Sequence, residues 1–258
     1  MRAAAENALE LDPLLAEAHD ALGMAQARSA QWELAEKSFR RAIELEPNRS
    51  ISYAHFALYL LWPLGRIEDA LQQLRLAEKA DPLSPEVDYN LSSVLKVAGR
   101  YEESARYCEK LPADFWAKRA CLVGARRRQG HDGEVIQMLE TDYSRGVDKR
   151  QGVWHVLGCA YARVGRREEA EKLAAASSAN PLNQAEIYAC LGDKDRTFEA
   201  LDRAAAAGPI RMGWILNGRG FAFLRGDPRE TALRRKVGLP EQRSSLLPGG
   251  GAYRTVMR

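Results

Sequence analysis

The chain has 258 residues, 46% of them hydrophobic and 28% charged, with 38 Lys and Arg against 35 Asp and Glu for a formal net charge of +3. That hydrophobic share excludes wholesale disorder, and the mild charge lacks the steep basic excess of a typical nucleic-acid binder. Ala and Leu number 40 and 31, while Val, Ile and Thr together reach 22, a balance that favours helix and excludes a mostly β protein.

In chain order, three segments end alike: Ala8-Leu9-Glu10-Leu11-Asp12-Pro13, Ala42-Ile43-Glu44-Leu45-Glu46-Pro47 and Ala77-Glu78-Lys79-Ala80-Asp81-Pro82, with the closing prolines 34 and 35 residues apart. A second set marks a turn and a helix start: Gly65-Arg66-Ile67-Glu68-Asp69-Ala70, Gly99-Arg100-Tyr101-Glu102-Glu103-Ser104 and Gly165-Arg166-Arg167-Glu168-Glu169-Ala170. Gly130 and Gly192 hold the same turn in more degenerate copies, and Ala30 holds it in the first full one. Glycine supplies the left-handed residue that ends one helix, acids suit the N-terminal end of the next, and proline stops it. Between these marks apolar residues recur at helical spacing: Ala21, Leu22 and Ala25, then Leu34, Ala35, Phe39 and Ala42. The pattern predicts helix hairpins.

These residues resemble the tetratricopeptide repeat, whose signature runs W-x2-L-G-x2-Y, then A-x3-F and Pro over 34 residues. Trp154, Leu157, Gly158 and Tyr161 carry its opening, and Leu22, Gly23, Ala35, Phe39, Ala42 and Pro47 its remainder. The copy from Ser50 has one extra residue near Pro63, and Pro112 shortens the second helix of the copy from Pro85. The resemblance implies an all-α fold, a right-handed α-solenoid of stacked helix hairpins. Residues 1–13 read as the second helix of a truncated repeat, 14–208 as five to six hairpins that degenerate from about 105, 209–240 as a C-terminal loop and capping helix, and 241–258 as a flexible tail. The segments from Ile187 to Ala204 and from Asp227 to Pro240 resemble the closing part of tetratricopeptide arrays that follow effector domains in bacterial signalling proteins. A sensory or regulatory role beside an upstream transcription regulator, kinase or cyclase is the alternative reading.

Cys108, Cys121, Cys159 and Cys190 form no CxxC pair and lie beside no His at a metal-ligand spacing, so the expectation is buried free thiols in a reducing, cytoplasmic compartment. Neither an apolar signal core nor a stretch long enough to span a bilayer is present in the sequence. The glycine groups lack the context of a phosphate loop, and the sequence holds no nucleophile elbow or HExxH. The expected function is therefore non-catalytic: binding of a protein or peptide, with no cofactor, metal, membrane or nucleic acid.

By the family resemblance the first helix of each hairpin lines a concave groove. Its groove positions fall on Asp20, Met24, Arg28, Leu58, Trp62, Tyr89, Ser93, Lys96, Arg127, His155 and Arg163. Leu58, Trp62 and Tyr89 would anchor side chains of a bound segment, and Arg28, Lys96, Arg127, Arg128 and Arg163 would pair with its carboxylates. The fifth and ninth positions hold Asp20 and Met24, Ala54 and Leu58, or Tyr89 and Ser93, so the Lys and Asn of a chaperone-type carboxylate clamp are not matched.

Overall fold

The computed structural model describes residues 1–144 and 153–241, the side chains of 142–144 excepted. After α1 (Arg2–Leu11) come six helix hairpins. They are α2 (Ala16–Arg28) with α3 (Trp32–Leu45), α4 (Ser50–Phe56, running on through 57–61) with α5 (Ile67–Ala80), and α6 (Pro85–Ala98) with α7 (Tyr101–Lys110). The others are α8 (Lys118–Arg128) with α9 (Asp132–Ser144), α10 (Trp154–Arg163) with α11 (Arg167–Ala176), and α12 (Pro181–Cys190) with α13 (Lys194–Ala204). First helices also pack on first helices, α2 on α4, α6 on α8, α8 on α10 and α10 on α12, while α6 joins the second hairpin through α5, and the stack is a solenoid.

The turns explain the regular stacking. In each of the six hairpins the N–H just after the turn residue returns to a carbonyl five residues back: Gln31 to Gln26, Arg66 to Leu61, Arg100 to Leu95, His131 to Arg126, Arg166 to Tyr161 and Asp193 to Tyr188. This is the Schellman closure, and it requires a left-handed residue. Glycine fills that position in five of the turns, and Ala30 takes it at φ +55° in the first. Arg66, Arg100 and Arg166 then pair with Asp69, Glu103 and Glu169 three residues on, at 2.8, 2.6 and 2.8 Å. These are surface pairs of small energetic worth, and they record the repeat. Inside the first hairpin, a Cβ on Gly23 would stand 3.0 Å from the fully buried Phe39 ring, which is how closely the two helices approach.

Two expectations are corrected. The cysteines are not free: Cys108 bonds Cys121, and Cys159 bonds Cys190. Cys159 and Cys190 lie on α10 and α12, neighbouring first helices, so stacking brings together residues 31 apart. The argument from free thiols to a reducing compartment therefore fails. The stretch expected as a loop after 208 instead holds α14 (Gly208–Leu216) and a 3-10 segment (Arg219–Leu224) before α15 (Pro228–Val237). Pro209 lies in the first turn of α14, where its missing N–H costs nothing, and Ile210, Met212 and Leu216 bury. The proposed tail falls almost wholly outside the described residues.

Candidate functional site

The extra residue near Pro63 is absorbed within α4. The N–H of Trp62 reaches back five residues to the carbonyl of Ala57 at 2.9 Å, so the helix widens through 57–61. Leu58 loses its ordinary donor to this shift, and the next candidate, Pro63, has no N–H. Its carbonyl accepts instead from the indole Nε1 of Trp214 at 2.8 Å. Asn217 Nδ2 adds bonds to the carbonyls of Trp62 and Pro63 at 3.0 and 2.8 Å. The rings of Trp62 and Trp214 stack at 5.2 Å.

The end of the chain thus returns to its first hairpins. A Cβ on Gly213 would lie 2.6 Å from the Pro63 backbone, so α14 presses directly on the end of α4. Farther along, Trp32 Nε1 donates to the carbonyl of Gly238 at 2.8 Å, and Arg219 lies against Gly99 in the third hairpin turn. Behind this contact Glu230 and Arg234 form a buried ion pair, and Arg234 also donates to Asn217 Oδ1 at 3.2 Å. The segment from 208 to 239 closes over the turn edge of the first three hairpins.

The expected groove residues divide accordingly. Asp20 is buried, taken by His55 Nδ1 at 2.7 Å and Arg49 at 3.4 Å, and so joins repeats. Met24, Leu58 and Trp62 pack into the first core, with Trp214 over the latter two. Arg28 is exposed, its guanidinium 4.9 Å from the Tyr59 ring centroid. Tyr89, beside Ser93, forms an aromatic cluster with Phe115 and Trp116 at 6.0 and 5.5 Å, and Trp116 is 79% exposed. His155 faces Glu186 at 3.3 Å, and Arg163 pairs with Asp132 at 2.8 Å.

Lys96 and Arg127 converge between α6, α8 and α12. Burial first, then the neighbouring cations, pull the Lys96 ammonium down to about 8 and Arg127 down to about 10. The sequence reading did not include Trp32, Trp214, Asn217 and Arg219. The only signal for Trp214 and Asn217 was a tryptophan and an asparagine in a stretch outside the repeat register. Among the described residues, no group of three or more His, Cys, Asp or Glu is placed to hold a metal ion, and no helix is long and apolar enough to cross a membrane.

Six stacked hairpins with Schellman turns and a shared wall of first helices define a tetratricopeptide-type α-solenoid. Residues 16–49 match the tetratricopeptide repeat family model. A tetratricopeptide repeat protein from Parabacteroides merdae shares the fold with a TM-score of 0.65 at 15% identity, over 84% of this chain and 90% of that one. PilW, a type IV pilus biogenesis factor, aligns with a TM-score of 0.56 at 17% identity, over 85% and 98%. Pseudomonas aeruginosa pilF gives 0.52 at 16% identity, over 77% and 94%. No curated protein matches the sequence.

Proposed function

We propose that this chain is a non-catalytic protein-interaction module that takes a peptide or protein segment along the first helices of its third to fifth hairpins. The observation that carries this reading is the division of the wall. The closing segment covers the turn ends of the first three hairpins and reaches Arg128 on α8, while Trp116, packed with Tyr89 toward the other end of α6 and with Phe115, stays 79% exposed. An exposed aromatic cluster of this kind offers anchoring area at low entropic cost. Arg128, which has no ion-pair partner among the described residues, ends the first helix of the fourth hairpin and favours an acidic segment. The two disulfides support work in an oxidising compartment.

The test is photo-crosslinking from position 116 in the native host, followed by mass spectrometry of the adduct. A defined partner peptide should be recovered, and Trp116→Ala with Tyr89→Ala should weaken its measured affinity by about tenfold or more. An affinity unchanged in the folded double variant would remove the third hairpin from the binding surface.

A further inference from the structure

Between α6, α8, α12 and the closing segment lies a group of cations without ion-pair partners among the described residues. Lys96 reaches from α6 across to α8 at a point where α8 has no side chain: its Nζ is 3.8 Å from the Cβ position of Gly124. One turn on, Arg127 is 6% exposed. Its Nη1 finds only Cys190 Sγ at 3.9 Å, and its Nε is buried without a partner. The guanidinium of Arg128 lies beside Gly220 of the closing segment, 3.7 and 3.9 Å from that residue's Cβ position.

The nearest acids bond elsewhere, Glu186 to His155 and Asp132 to Arg163, and act on Lys96 and Arg127 only from outside ion-pair distance. Among the described residues, Lys96, Arg127 and Arg128 have no carboxylate within ion-pair distance. The preceding Arg126 shows the ordinary alternative, since it points to solvent and pairs with Glu134 at 2.8 Å. A positive charge in the last turn of a helix is unremarkable, but one turned inward without an ion-pair contact is costly. Arg127 and Arg128 both act on Lys96 as repelling neighbours, and guanidinium and ammonium groups this close provide the donor forks that an oxyanion satisfies.

We propose that Lys96, Arg127 and Arg128 form a binding site for a compact oxyanion, a phosphate or a carboxylate, seated between α6, α8 and the closing segment. The site shares Arg128 with the protein-interaction reading but does not require it: it stands whether the anion is free or is carried on a partner.

Calorimetric titration of the full chain at low ionic strength and pH 7, with inorganic phosphate, citrate and a hexaglutamate peptide as separate probes, tests it. At least one probe should bind saturably, and Lys96→Met and Arg128→Gln should each weaken that binding about tenfold or more, the scale of a lost charge-assisted bond. Preference for phosphate or citrate identifies a free ion, and preference for hexaglutamate a carboxylate presented on a peptide. Binding should also weaken from pH 7 to 9 as Lys96 loses its proton. The charged groups around it are Arg127 and Arg128 from α8 and Glu186 from α12, with Arg219 of the closing segment against Gly99 at the end of α6. Lys96→Arg should keep the binding and lose that pH dependence. The proposal fails if no probe saturates by about 20 mM. It also fails if folded Lys96→Met and Arg128→Gln proteins bind as the parent does.

Discussion

The indole N–H of Trp214 donates to the carbonyl of Leu58 at 2.8 Å, across 156 positions of sequence. That carbonyl is available because one inserted residue and Pro63 together deprive it of a helical donor. A local irregularity in the second hairpin is therefore the receptor for the end of the chain.

Gly213→Ala tests the closeness of that contact. The added methyl meets Pro63 backbone rather than a side chain that can swing away. Overpacking of this kind costs about 1–3 kcal/mol. Hydrogen exchange should speed up across 208–239 while protection in α2 to α7 is retained, and equal protection throughout would contradict the contact.

Asn217→Ala removes the donor to the carbonyls of Trp62 and Pro63 and the acceptor for Arg234. Buried groups left unpaired cost about 1–3 kcal/mol. Glu230→Ala should cost more, about 3–5 kcal/mol, because it strands the buried Arg234 charge. Pairing Glu230→Leu with Arg234→Met should restore most of the loss, and urea denaturation of the three variants gives the order.

Replacing Cys159 and Cys190 with serine should lower stability by about 2–4 kcal/mol, since the bond closes a loop through two hairpins. Reductant should lower the melting temperature of the parent by more than that of the double variant, which keeps only the Cys108–Cys121 bond.

The depressed Lys96 pKa gives stability a sign with pH. Between about 8 and its ordinary value the unfolded chain binds a proton that the native chain does not, so stability rises with pH there. Tyr107 and Tyr161 act oppositely: burial first, then Glu78 and Glu140, push both up to about 12, and the unfolded chain loses those protons first. Anion-free protein should thus gain stability from pH 8 to about 10 and lose it beyond. Melting curves of Lys96→Met against the parent should show the gain only in the parent.

The hairpins were legible in the sequence because their determinants are local. Gly65, Gly99 and Gly165 with the acids after them write each turn within a few residues, and Gly23 facing Phe39 writes the packing within one repeat. The closing segment was not legible, because Trp214, Asn217 and Gly238 find partners 206 to 154 positions away and follow no period. The extra residue near Pro63 was visible as an irregularity, but the carbonyl it exposes exists only once the backbone is built. The Cys159–Cys190 bond had a usable signal: a separation of 31 is close to one repeat, which puts both residues on adjacent first helices. The groove reading placed Lys96 and Arg127 on a common wall but could not show that their acids are already taken.

An open solenoid can gain or lose a unit with little penalty, since each hairpin consults only its neighbours. Here the last helices must land on particular turns of the first three hairpins: Gly238 on Ala30, Asn217 on Gly65 and Arg219 on Gly99. An inserted or deleted hairpin anywhere between would carry Trp214 past Leu58 and leave both ends uncovered. The number of hairpins between these turns and the closing segment is thereby a counted one, fixed by the distance residues 208–239 have to travel back.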